Sequence, residues 1–346
     1  MLSLSHNNKS SLGPALLLPS GGIDEETIAM LVGSMLKVSS LSLKCRIPPQ
    51  CSTWPVTRFR SPLLRLQAVT HFSAHDVYFT NLGQFQYVIC QWPQLRTLTL
   101  YKVAFRTFDS YDVDIGKLQL RSLELSNMQQ QRTLDYVLAL FAKALSSRSI
   151  QTLRIWEEAL FGEETEHAID DLLRTLGSSL RRFDFPWKYD LFKKPRTDFW
   201  TPQLQHSTGL QYLCINCSRM WVLFEDLANM LSRMMLPELR AIHLVFDAYC
   251  SEQSARVLDL PYIEEEIGRW RAVEDNLQQH SPTLQEFVIW RTVHQASWRS
   301  FADERYSAAW VQVLPRLHAR GILHINVRPT NPIPGPFDNV PARMQS

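Results

Sequence analysis

One apolar pattern returns through the middle of this chain at a constant interval. Leu120, Leu123 and Leu125 are followed by Ile150, Leu153 and Ile155, then by Leu180, Phe183 and Phe185, then by Leu210, Leu213 and Ile215, each step being 30 residues (153−123). A period of that size is too short for a unit that buries its own apolar face, so it marks a solenoid whose core grows as neighbours stack. Length then does not count domains, and a single stack can hold nearly all of the 346 residues.

The same pattern begins at Val38, Leu41 and Leu43 and recurs less cleanly at Leu63, Leu66 and Ala68. It is clear again at Leu95-Leu98-Leu100, Leu239-Ile242-Leu244 and Leu284-Phe287-Ile289, where a long step of 45 (287−242) implies an insertion before Leu284. Within each copy apolar and polar residues alternate, as in a short strand with one buried face. Between copies the period changes to 3.6. Leu134, Leu138, Phe141 and Leu145 share one helical face, as do Ile169, Leu172, Leu173 and Leu176, then Phe224, Leu227, Leu231 and Met234, then Ile263, Ile267, Trp270 and Leu277. Each unit therefore reads strand, loop, helix, and stacking such units gives an α/β solenoid with parallel strands on the concave face and helices on the convex face.

The ends read differently. Residues 1–22 are polar and aperiodic, a flexible leader. The solenoid spans 23–328 and opens with a helix capped by Asp24, with Glu25 and Glu26 in its first turn and Ile28, Leu31 and Met35 along one stripe. A last helix through Tyr306, Trp310, Val313 and Leu317 precedes a closing strand at Ile322–Ile325, and residues 329–346 form a proline-rich disordered tail.

Composition excludes several classes. Hydrophobic residues at 45% and charged residues at 20% exclude wholesale disorder. A formal charge of +2 gives no global field for nucleic acid or an anionic membrane, so any such contact is local. No apolar run approaches the ~18 residues of a spanning helix. The run Ala15–Leu18, cut off by Pro19, is too short for a secretory core. The expected protein is a monomer of the cytoplasm or nucleus, without membrane or nucleic-acid partners. Its six cysteines are too sparse for a disulfide framework and read as reduced thiols.

The copies Leu95-Arg96-Thr97-Leu98-Thr99-Leu100, Leu120 to Leu125, and Ser281-Pro282-Thr283-Leu284-Gln285-Glu286-Phe287 resemble leucine-rich repeats. The irregular lengths, the Pro-x-Leu-Arg starts at Pro93 and Pro237 and the ten tryptophans resemble, more narrowly, the divergent repeat region of fungal F-box proteins over residues 38 to 328. That resemblance implies a substrate-recognition module of a ubiquitin ligase. Two departures stand out. The asparagine expected three places after the last leucine is replaced by Val103, Met128, Glu158, Lys188 and Ser218, and no helical segment opening Leu-Pro-x-Glu is present, since Leu18-Pro19 continues as Ser20-Gly21.

No catalytic constellation, metal set or cofactor loop stands out, and the chain reads as a non-enzyme. Cys214-Ile215-Asn216-Cys217 has redox or zinc spacing, yet it lies on a repeat strand without a second pair, which favours packing. His71 and His75 would share a helical turn but have no third ligand. Asp112-Val113-Asp114 starts like a calcium loop whose twelfth place is Leu123, where a glutamate is needed. Glu163, Glu164 and Glu166 suit the first turn of a helix. The basic and aromatic segment 186–196 ranks second as a binding site.

First rank goes to the residues that alternation turns away from the core. Among them Tyr101, Arg154, Trp156, Arg182, Tyr212, His243 and Trp290 carry the aromatic and arginine character of interface hot spots. The expected partner is a protein held on the concave face, with a ubiquitin-ligase adaptor as a further partner. The alternative is a stand-alone repeat scaffold unconnected with ubiquitin.

Overall fold

Alternation within each copy fixes the strands, and the 3.6-residue stripes fix the helices between them. A computed structural model describes residues 15–18, 38–44, 66–110, 115–128, 131–144, 150–156, 162–187, 203–217, 223–248, 260–293 and 303–329. The chain divides into two compact units, Met1–Phe185 with Trp200–Gln211, and Pro186–Phe199 with Tyr212–Ser346.

The first unit contains β1 (Ala15–Leu18), β2 (Ser40–Lys44), β3 (His71–His75), β4 (Tyr78–Asn81), β5 (Thr97–Tyr101), β6 (Ala104–Thr107), β7 (Ser122–Ser126), β8 (Thr152–Trp156) and β9 (Arg182–Trp187, in this unit as far as Phe185). Its helices are α1 (Leu82–Cys90), α2 (Gln131–Ala144) and α3 (Glu163–Leu176). All strands but two form one parallel sheet in the order β1-β2-β3-β5-β7-β8-β9, and β4 pairs in parallel with β6. The second unit holds β10 (Tyr212–Cys217), β11 (Ala241–Ala248), β12 (Glu286–Val293) and β13 (Leu323–Pro329), again parallel and in chain order. Its helices are α4 (Leu223–Leu231), α5 (Leu260–His280), α6 (Asp303–Val313) and α7 (Pro315–Ala319).

Register carries the apolar pattern from strand to strand. Leu41 lies against Phe72, Phe72 against Leu98, then Leu123, Leu153 and Phe183 in turn, and all are buried. A second buried row runs Leu43, Ala74, Leu100, Leu125, Ile155. Each large side chain in these rows contributes roughly 1.5–3 kcal/mol by leaving water. A slip of one residue would turn the whole set outward, so the rows also fix the pairing.

Two strands differ from the sequence reading. The second copy of the pattern is Val69-Phe72-Ala74, not Leu63-Leu66-Ala68, because phenylalanine and alanine occupy the rungs that leucine fills elsewhere. The run Ala15–Leu18 within the expected leader is β1, paired with Ser40–Leu43. The helix expected from Asp24, the Asp112 loop, most of the 186–196 segment and the tail beyond Pro329 lie outside the described residues.

The turn after each strand is built from backbone. Asp76, Lys102 and Asn127 directly follow β3, β5 and β7 with φ of 54, 52 and 48°, the left-handed conformation. Their N–H groups donate to the last residue of the next strand, Tyr101 O at 2.9 Å, Ser126 O at 3.0 Å and Trp156 O at 2.6 Å. The following residues, Val77, Val103 and Met128, are buried. An apolar rung therefore stands at positions 103 and 128, where the standard repeat has asparagine, and the backbone ladder holds the turn.

Two of the helices bury the stripes expected of them. Leu134, Leu138 and Phe141 of α2 and Ile169, Leu172, Leu173 and Leu176 of α3 are buried, and Thr165 donates to Asp135 across this helix pair. Glu163, Glu164 and Glu166 occupy the first turn of α3, and Gly177, at φ 51°, closes it. The last helix is two: Pro315, at the first position of α7, has no N–H to continue α6. Glu274 of α5 accepts the N–H groups of Arg316 and Leu317, each at 2.9 Å, and so caps α7 from a neighbouring helix. Trp270 and Trp310 pack edge to face with centroids 5.2 Å apart. No helix among the described residues is long and apolar enough to cross a membrane.

Candidate partner-binding surface

In the first unit, the residues between the buried rungs form three rows across the open face of the sheet. One row runs His71, Thr97, Ser122, Thr152, Arg182; the next Ser73, Thr99, Glu124, Arg154, Asp184; the third His75, Tyr101, Ser126, Trp156. All but Asp184 keep partial contact with solvent. Tyr101 and Trp156 share the third row with Ser126 between them, so their backbones stand about 10 Å apart, two strand spacings. The His75 ring lies 5.7 Å from that of Tyr101, and the Lys102 ammonium 5.2 Å from the centre of the same ring. The row is thus an aromatic edge flanked by hydroxyls.

Arg154 and Arg182 are brought together by one carboxylate. Asp184 is fully buried and accepts two hydrogen bonds from Arg182 Nε at 3.0 Å and one from Nη2 at 2.9 Å. Arg154 Nε approaches Asp184 Oδ2 to 3.1 Å, off the line of a hydrogen bond, and its Nη1 lies 3.7 Å from Glu124 Oε2. Negative, positive and negative side chains therefore alternate across β7, β8 and β9. Both arginines are already engaged, which lowers the energy either can offer a partner. The sequence held the signal: the 30-residue step that aligns Leu123, Leu153 and Phe183 also aligns Glu124, Arg154 and Asp184.

The matching face of the second unit is buried over most of β10 and β11. Tyr212, Cys214, Ala241, His243, Val245 and Val288 alternate with the inner rungs, yet all are buried, His243 being 4% exposed and Tyr212 8%. The two are bonded to each other, Tyr212 OH to His243 Nδ1 at 2.6 Å. His243 Nε2 lies 3.7 Å from Glu286 Oε1 and makes no hydrogen bond. The imidazole holds the Glu286 carboxyl below the usual glutamate range against the opposing effect of burial, with a further contribution from His324. Trp290 stays half-exposed, 6.5 Å from the His243 ring. Of the seven candidate residues, Tyr101, Trp156 and Trp290 keep accessible rings, Arg154 and Arg182 are tied to Asp184, and Tyr212 and His243 form a buried polar pair.

The sites read as packing or surface behave in ways that follow from strand geometry. Cys214 is buried in β10, with its side chain packed among the strands. His71 and His75 sit at the two ends of β3 rather than on a helix, about 13 Å apart along an extended chain, too far to share a ligand. No group of three metal-ligating side chains occurs among the described residues.

No family model matches the chain, and no curated protein matches it.

Proposed function

We propose that this chain is a protein-binding module whose strand–loop–helix segments are leucine-rich-repeat-like coils of a solenoid, and that the open sheet face of the first unit holds the partner. The observation that carries the reading is the graded exposure of that face. Three rows of hydroxyl, aromatic and charged side chains lie half-open on strands that are fully buried on their other side. A flat, backbone-fixed array of this kind binds with little ordering cost, and rings such as Tyr101 and Trp156 supply the desolvated anchors of protein interfaces. By resemblance, the role is substrate recognition in the manner of F-box proteins, with chemistry left to other subunits.

A stand-alone scaffold unconnected with ubiquitin is the second reading. One observation favours it: Leu18-Pro19, the nearest approach to an F-box opening, continues as Ser20-Gly21 and lacks the glutamate of Leu-Pro-x-Glu. Affinity capture separates the two. Recovery of a cullin-type ligase adaptor with the wild-type chain supports the first, and its consistent absence at good expression supports the second. For the binding face itself, Trp156→Ala is expected to abolish partner capture with little change in melting temperature. A large loss of stability with capture intact would mean that Trp156 only packs.

A further inference from the structure

We propose that the leading edge of the first unit's sheet, where Arg96 and Arg121 stand, is a docking strip for an extended acidic segment of a protein partner. The residue just before each strand is locked by its neighbours' backbone. Thr70 O accepts from the N–H groups of Arg96 and Thr97, Arg96 O from Arg121 and Ser122, Arg121 O from Gln151 and Thr152, and Gln151 O from Arg181 and Arg182, all at 2.7–3.0 Å. Arg96, Arg121, Gln151 and Arg181 therefore follow one another at strand spacing, about 4.8 Å, and all four are exposed.

Charge on this edge is of one sign. The described residues leading into β3, β5, β7, β8 and β9 (66–70, 93–96, 115–121, 150–151 and 177–181) include no aspartate or glutamate, whereas Lys117 adds to the arginines. Among the described residues Arg96 and Arg121 have no carboxylate partner. Arg181 is oriented by donating to Gly209 O at 3.0 Å, and a Cβ at Gly209 would run into the Ser178 carbonyl oxygen, so this corner is closely packed. His71 is held below the ordinary imidazole value, first by burial and then by the Arg96 charge, against a hydrogen bond to Ser39. The bias extends along the sequence: residues 27–108 hold nine lysines and arginines against Asp76 alone, a net +8 (9−1), although the whole chain is only +2.

The chemistry of the strip selects a peptide over a nucleic acid. A guanidinium fork pairs with a carboxylate through two parallel hydrogen bonds. An extended peptide places alternate side chains about 6.8 Å apart on one side, a spacing that long arginine stems can follow. Bases would need exposed rings to stack on, and the ring beside this edge, Trp92, is fully buried. The exposed neighbours are instead Gln94, Gln119 and Gln151, whose amides suit a peptide backbone. This edge is separate from the rows that carry Tyr101 and Trp156, and the proposal stands without a ubiquitin connection.

Fluorescence anisotropy with the full chain and a labelled octaglutamate peptide tests it. Saturable binding is expected at low salt, weakened by at least roughly tenfold in Arg96→Glu/Arg121→Glu and in the milder Arg96→Gln/Arg121→Gln, both with unchanged melting. Arg106→Glu, an exposed cation on β6 outside the strip, is expected to change binding little. Failure of the peptide to bind, retained affinity in both double variants, or an equal loss in Arg106→Glu overturns the proposal. So does an oligothymidylate that binds the wild type more tightly than the peptide and is released by the same substitutions.

Discussion

Asp184 is a buried carboxylate held between two arginines, and its neighbours across the sheet decide what each of them can do. Removing its charge leaves the Arg182 guanidinium, 14% exposed, without its bidentate partner. Asp184→Asn is expected to lower unfolding free energy by about 3 kcal/mol, measured by urea denaturation, because a broken buried pair strands the remaining charge. No measurable change would mean that the arginines are solvated by water instead. Sequence alternation places Arg154, Arg182, Tyr212 and His243 on the outward face; the two arginines keep partial exposure, whereas Tyr212 and His243 are buried. Their engagement was not legible by alternation alone, since an outward residue can still be covered. For the Asp184 cluster the constant period gave the missing register. Tyr212, His243 and Glu286 are separated by irregular steps, so no period showed that they would meet.

At the scale of elements, strands and helices were legible wherever leucine marked both the alternation and the stripe. They were obscured where Phe72 and Ala74 stood in for leucine, and where Pro315 split a single apolar stripe into α6 and α7. The turns were not legible, because a left-handed residue leaves no apolar signature. Lys102 carries a left-handed strain of roughly 1 kcal/mol that glycine would not. Lys102→Gly is therefore expected to raise the melting temperature, and Lys102→Val to lower it; the reverse order would show that the turn is not the constraint. Glu274 belongs to the junction of α5 and α7. Burial pushes its carboxyl above the ordinary glutamate value, although the N–H groups of Leu317 and Arg316 pull the other way. The ionised form is thus disfavoured in the fold, so this group adds stability as the pH falls through the window between its raised value and the ordinary glutamate value beneath it. Glu274→Gln keeps an oxygen for the two N–H groups and is expected to flatten that part of the pH profile, read from urea midpoints across the acid range. An unaltered profile would remove Glu274 as its source.

At the scale of the whole chain, the two units share one strand-by-strand plan yet present their outward rows differently, half-open in the first and buried over most of β10 and β11 in the second. Composition could not show this, because serine, threonine, histidine and tyrosine suit either state. The open face is where the account places its partner. Hydroxyl-radical footprinting of the captured complex measures that placement most directly. Oxidation of Tyr101 and Trp156 should fall on complex formation, while Tyr136, 45% exposed on α2, should oxidise as before. Protection of Tyr136 with Tyr101 and Trp156 unchanged would put the partner on the helices and contradict the account.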